Sequence, residues 1–217
     1  MPRRPDEVAV FLNVRMQSRR CPGKLLRPFA ESTLLDLCLE KIDGLGWPRT
    51  WFGAWEEPLL ERAGRYPRLA VYRRSRESAL SDSDPHRIFE ILNAIDTPHV
   101  MWVNPCAPML RVETLAAALD FFLAGEQRSL TAVRALGGWF YSADGRPLND
   151  TGGNVDTMLS TPIFQVAHAF HIYDRGRMIR TGRPWTNTPG DPELFVIPEE
   201  EAYDIDTEEE FDAVECL

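Results

Sequence analysis

Arg15, Arg19, Arg20, Lys24 and Arg27 crowd into one short stretch, and no acidic residue occurs from Val8 to Ala30. In a chain of formal net charge −9 this is a concentrated positive site, suited to phosphate or carboxylate oxygens. Pro22 stiffens the stretch, Gly23 lets the backbone come close to an anion, and Lys24 adds a point charge. Charge alone equally fits a solvated basic turn. Far along the chain, Tyr203-Asp204-Ile205-Asp206-Thr207 sets carboxylates at i and i+2, which on a strand share one face. Such a pair of oxygen donors suits magnesium, which keeps waters and substrate phosphates as its other ligands. With Glu199 to Glu201 and Glu208 to Glu210 alongside, a hydrated acidic strand end is the plainer alternative. Between these sites, Met101 to Val103 leads into Asn104-Pro105-Cys106-Ala107-Pro108, an amide followed by turn-forming dipeptides. His168 and His171, at i and i+3 on a strand, face opposite ways and read as ordinary partly buried histidines.

The elements that must hold these residues follow from the apolar pattern. Val8 to Val14, Leu69 to Tyr72 and His99 to Val103 are apolar runs of strand length. Segments of helical period separate them: Leu34 to Ile42 after Thr33, Glu56 to Arg65, and Ile88 to Ile95 after Asp84-Pro85. That alternation predicts right-handed βαβ units, an α/β fold and a mostly parallel sheet, with the basic stretch at the carboxyl end of the first strand, where open α/β sheets bind ligands. Thr114 to Leu123 reads as a helix and Ser129 to Ala135 as a strand. Trp139 to Asn149 reads as a hairpin turning at Asp144-Gly145, and Thr151-Gly152-Gly153-Asn154 as a loop. Phe164 to Tyr173 returns as a strand and Arg175 to Thr181 as a short helix. Leu194 to Ile197 and Ala202 to Asp206 close the chain as extended segments before a helix from Glu208, where Thr207-x-x-Glu210 is a capping box. Residues 1–217 read as a single domain, with 137–192 an elaboration of it.

Composition narrows the function classes. The acidic balance argues against general affinity for nucleic acid or an anionic membrane, since both need a broad basic surface. No apolar run approaches the roughly 18 residues of a membrane span. Cys21, Cys38, Cys106 and Cys216 are scattered without a Cys-x-x-Cys pair, so neither a zinc site nor a disulfide framework is expected, and a cytoplasmic protein with reduced thiols is.

The order of residues adds a resemblance. Arg15-Met16-Gln17-Ser18-Arg19-Arg20-Cys21-Pro22-Gly23-Lys24 resembles the Arg-x-Gly-Ser-x-Arg-Leu-Pro-Gly-Lys signature of the cytidylyltransferases, a family that includes CMP-sialic acid and CMP-KDO synthetases and spore-coat polysaccharide nucleotidyltransferases. Gln17 and Cys21 depart from the usual glycine and leucine. Asp204-Ile205-Asp206-Thr207 is similar to the family's C-terminal metal-binding motif, and Asn104 matches the amide of its Gln-Pro-Thr-Ser-Pro motif, with Cys106 and Ala107 replacing hydroxyls. Arg73-Arg74 resembles an Arg-Arg-Pro in which Ser75 replaces proline. The family's Arg-x-Gln for the acceptor carboxylate is not recognisable around Asn154 to Pro162.

The resemblance implies a Rossmann-like three-layer nucleotidyltransferase fold and CMP transfer from CTP to an acidic sugar, with release of pyrophosphate, for surface polysaccharide synthesis. It assigns Arg15, Ser18, Arg20, Gly23, Lys24, Asn104 and, more weakly, Arg74 to the nucleotide and substrate. Arg15, Lys24 and Asp206 become the catalytic residues, and Asp204 and Asp206 the ligands of Mg2+. It also implies a homodimer, with residues 137–192 as dimer arm and acceptor wall. A sugar phosphate or phosphonate acceptor, or a nucleotide-binding protein without the chemistry, remains the alternative.

Overall fold

The computed structural model describes residues 2–150 and 156–217. Its centre is a seven-stranded sheet in the order β3-β2-β1-β4-β6-β5-β7, formed by β1 (Val8–Asn13), β2 (Thr50–Ala54), β3 (Leu69–Arg73), β4 (His99–Val103), β5 (Leu130–Leu136), β6 (Ile163–Asp174) and β7 (Glu193–Val196). Strands β3, β2, β1 and β4 pair in parallel, as do β5 and β7; β6 runs antiparallel to both β4 and β5.

Strand alternation divides the core between two faces. Val8, Val10, Leu12, Met101 and Val103 face a cluster shared with the helices α1 (Leu34–Leu45), α2 (Glu57–Ala63), α5 (Val112–Ala124) and α7 (Glu208–Glu215). Ala9, Phe11 and Val100 face a smaller cluster with Ile91 and Leu92 and with Met178 of α6 (Arg175–Thr181). The sheet therefore lies between helical layers, and the three-layer α/β expectation holds. Among the described residues no helix is long and apolar enough to cross a membrane.

Local chemistry fixes where the helices begin. The Thr33 hydroxyl accepts from the Asp36 amide at the start of α1, and Thr207 and Glu210 close the expected capping box on α7. Other elements differ from expectation. Strand β2 was not foreseen, because Trp51-Phe52-Gly53-Ala54 is short and carries a glycine. The short helix α3 (Arg76–Leu80) also lacked an apolar period. The single helix expected over Ile88 to Ile95 is instead α4 (Pro85–Ile88), a break at Phe89 (φ −103°, ψ 34°) and a 3-10 turn, Glu90–Asn93. Trp139 to Asn149 is a hairpin loop with one isolated bridge, Tyr141 to Pro147, closed at Ser142 and Gly145. The loop read at Thr151 to Asn154 lies outside the described residues.

Strand β6 corrects the histidine geometry. Its register against β5 shifts between Thr131 and Val133, and His168 takes φ 52° inside the irregularity. The added residues break strict alternation. The His168 and His171 rings consequently meet edge to face at 5.5 Å rather than pointing apart.

Candidate active site

The basic stretch leaves the carboxyl end of β1. Gly23 sits at φ 69°, in the left-handed region that a side chain disfavours, with open space around its Cα. Its carbonyl accepts from the amides of Leu26 and Arg27, while the Ser18 hydroxyl accepts from the Cys21 amide. Cys21 is fully buried, which explains a thiol where the family has leucine: the position packs.

Each cation of the stretch has found a carboxylate elsewhere in the chain. Arg15 and Arg19 share Asp82 at 2.8 and 2.6 Å, Arg20 and Lys24 share Asp206 at 2.6 and 3.2 Å, and Arg27 pairs with Glu208 at 2.6 Å. The stretch is acid-free in sequence but compensated in space. Lys24 is the most enclosed of them, its side chain 11% exposed, and its ammonium also donates to the Ile205 carbonyl.

Residues 202–206 form no ladder. They follow a 3-10 turn, Glu199–Glu201, so the strand expected at Ala202 to Asp206 is replaced by an irregular segment. Ile205 anchors it, with a fully buried side chain and an amide donating to the Cys106 carbonyl at 2.9 Å. Asp204 and Asp206 flank that anchor beside the loop after β4. There the Asn104 side chain accepts from the Cys106 amide and donates to Asp204 Oδ1, both at 3.0 Å. Asn104 is thereby tied to a carboxylate, on the wall of the same cavity as the basic loop.

The two aspartates are electrostatically unlike. Burial, and then the charge of Asp206, push Asp204 up to about 6, against the pull of Lys24 and Asn104. Burial also opposes ionisation of Asp206, but Lys24 and Arg20 outweigh it and bring that carboxyl below its ordinary value. Lys24 is raised: burial disfavours its charge, and Cys106 and Asp206 more than offset this. A divalent cation would relieve the crowding at Asp204, so this oxygen pair fits magnesium in chemistry. Among the described residues no group of three or more His, Cys, Asp or Glu could hold a metal, so substrate or water oxygens would have to complete the shell.

Two cavities meet at Asp206. One, of about 230 Å³, is lined by Arg15, Ser18, Arg20, Lys24 and Asn104 together with Asn13 and Trp102. Asn13 Oδ1 and Trp102 Nε1 are buried polar atoms without a hydrogen-bond partner among the described residues. The other cavity, of about 400 Å³, is lined by Arg134, Gln165, His168, Tyr203, Asp204 and Asp206, among others. Sequence reading missed Arg134 and Gln165, which come from neighbouring strands and join through Arg134 Nε to Gln165 Oε1 at 2.8 Å. No linear motif carries such a cross-strand pair.

Arg74 lies beneath the loop rather than in it. Only 2% exposed, its guanidinium donates to the carbonyls of Val14, Ser78 and Ile88 and to the Ser78 hydroxyl. It braces the root of the basic loop, bound to the protein's own carbonyls.

No protein-family model and no curated protein matches the sequence. Solved structures match its fold over nearly its whole length. A CMP:2-keto-3-deoxy-manno-octonic acid synthetase complexed with CTP superposes with a TM-score of 0.68 at 11% identity, covering 97% of each chain. The 4-diphosphocytidyl-2C-methyl-D-erythritol synthase of Anaerococcus prevotii gives 0.65 at 9% identity over 96% of each chain. A cytidylyltransferase from Leptospira borgpetersenii gives 0.56 at 16% identity over 96% of this chain and 85% of that one. The chain therefore has the cytidylyltransferase fold, with the basic loop and the carboxylate pair gathered beyond the carboxyl ends of β1 and β4.

Proposed function

We propose that the protein is a cytidylyltransferase that transfers CMP from CTP to an acidic sugar and releases pyrophosphate. The observation that carries this reading is Asp206 standing in the wall of both cavities, one lined by cations suited to a triphosphate and the other by Arg134. A phosphorus atom placed at that junction is open to an acceptor oxygen from the far side. The acceptor hydroxyl attacks the α-phosphorus in line and gives up its proton to water, while the bond to the bridging oxygen breaks and its electrons leave with pyrophosphate. Lys24, Arg20, Arg15 and Ser18 hold the triphosphate and spread its developing charge, which is the main demand of phosphoryl chemistry. Asp204 and Asp206 would hold Mg2+, which would neutralise phosphate oxygens. Asn104 fixes the orientation of Asp204. Asn13 and Trp102 complete the wall of the nucleotide cavity, and the indole of Trp102 gives it an aromatic side.

Arg134 supports an anionic acceptor of either kind, an acid sugar or a phosphate or phosphonate. The likeness to a synthetase of a CMP-linked sugar acid favours the first, and with it a cytoplasmic step in surface polysaccharide synthesis. Exposed apolar side chains on the arm, Trp139, Tyr141, Leu148 and Leu159 among them, favour a homodimer. The test is pyrophosphate release with magnesium and a panel of nucleotides set against nonulosonic acids, KDO, sugar phosphates and phosphonates. Turnover requiring CTP and an acidic sugar supports the reading; turnover only with a phosphate or phosphonate moves it to the alternative acceptor. CTP binding without turnover on any of them leaves a nucleotide-binding protein.

A further inference from the structure

The opposite end of the strands carries a second basic cavity. It has a volume of about 330 Å³ and is lined by Arg3, His99, Arg128, Asp174, Arg177 and Arg180, with Asp191. These residues precede β1, β5 and β7, begin β4, end antiparallel β6 or lie in α6, so the cavity opens at the amino ends of the parallel strands. The nucleotide cavity opens at the other ends.

The charges here do not cancel as they do around Asp206. Both carboxylates are engaged by uncharged donors: Asp174 accepts from the Arg177 amide at the start of α6, and Asp191 accepts from the hydroxyls of Ser129 and Thr186 and from the Thr186 amide. Arg177 reaches Asp191 only at 3.8 Å, and its Nε is buried without a partner. His99 Nδ1 is likewise buried and without a partner. Arg128 and Arg180 are exposed and form no ion pair with any described residue. Arg3 is already employed on the carbonyls of Phe122, Gly125 and Gln127. A chain of net charge −9 thus leaves unspent arginine donors around one concavity. Guanidinium forks match phosphate oxygens in geometry as well as charge, and the volume lies at the lower end of the roughly 300–1,000 Å³ usual for small-molecule sites.

We propose that this cavity is a second anion site, for a phosphate-bearing small molecule, in which Arg128, Arg177 and Arg180 bind the phosphate and His99 contributes a ring nitrogen. The site is independent of the nucleotide reading, since it shares no residue with the cavities that meet at Asp206.

The experiment is calorimetric titration of inorganic pyrophosphate into the full chain carrying Lys24→Ala, which removes the most enclosed cation of the basic loop and leaves the second cavity intact. Binding of one equivalent should persist there, and adding Arg128→Gln with Arg180→Gln should weaken it by about tenfold or more per arginine. Both arginines are exposed and unpaired, so the melting temperature should stay unchanged. A parallel titration of uniformly nitrogen-labelled protein should shift the amides of residues 125–129 and 177–183. Loss of all binding in Lys24→Ala alone, binding indifferent to the arginine substitutions, or equal competition by potassium chloride at matched ionic strength would each overturn the proposal.

Discussion

Lys24 and Asp206, 182 residues apart in the chain, form an ion pair at 3.2 Å, and Arg20 closes on the same carboxylate at 2.6 Å. The basic loop and the acidic segment thus serve as each other's counter-ions. On the proposed reading, a triphosphate would have to take Lys24 and Arg20 from Asp206, and a metal would have to take Asp206 from them, so each ligand would favour the other's binding. Asp206→Asn removes the competing charge. Nucleotide affinity measured without magnesium should rise several-fold, while turnover with magnesium should fall by about two to three orders of magnitude. Weaker metal-free binding in this variant would refute the exchange of partners.

Arg74 should behave as a brace. Its guanidinium satisfies the Val14, Ser78 and Ile88 carbonyls in a site 2% exposed, and burial lowers its pKa to about 10, which leaves it charged at neutral pH. Arg74→Ala should cost about 3 kcal/mol in denaturant unfolding, since it strands these acceptors. Lysine should restore little, because one ammonium cannot span the same fork. A large loss of CTP affinity at unchanged stability would instead make Arg74 a nucleotide contact.

Features written in contiguous residues were legible in the sequence. The β1 run of Val8 to Asn13, the basic loop behind it and the Thr207 to Glu210 cap all depend on near neighbours, so type and spacing suffice. Strand β2 was hidden because Gly53 weakens a five-residue signal; its place is fixed by pairing on both sides with β1 and β3. The counter-ions of the basic loop were invisible for a related reason: Asp82, Asp206 and Glu208 come from distant segments, and only the fold brings them together. The Arg134 and Gln165 pair likewise exists only through β5–β6 registry. His168 and His171 misled because alternation was assumed across a strand that is bulged.

Asp204 should cost the fold stability at neutral pH. Its carboxyl is raised to about 6 from 3.8, by burial first and the Asp206 charge second, so between those values the folded protein holds a proton that the unfolded chain releases. Stability from this group therefore rises as pH falls through about 6, and the penalty is full above that. A shift of this size corresponds to about 2–3 kcal/mol. In protein stripped of divalent cations, Asp204→Asn should raise the melting temperature at pH 7 and have little effect below about pH 4. Asparagine keeps the oxygen that accepts from Asn104, so the contact survives the change. The same substitution should depress magnesium-dependent turnover. Destabilisation at pH 7 would refute the electrostatic account.

Arg134 supplies the sharpest division between the two sides of the site. It lines the larger cavity with Asp204 and Asp206 and is absent from the wall of the nucleotide cavity, and its Nε is held by Gln165 Oε1 at 2.8 Å. That bond leaves the terminal nitrogens to a substrate. If they bind the anionic group of the acceptor, Arg134→Gln should raise the acceptor KM by about tenfold to a hundredfold, the usual cost of losing a charge-assisted contact. The KM for CTP should be unchanged. Gln165→Leu keeps the charge but releases its orientation, so its effect should fall between wild type and Arg134→Gln. The acceptor KM of the wild type should increase with salt, and that dependence should flatten in Arg134→Gln, because screening acts on the pair the substitution removes. Steady-state pyrophosphate release, varying each substrate in turn, measures all of these quantities. A KM effect confined to CTP would place Arg134 on the nucleotide side, and no effect on either substrate would remove it from the site.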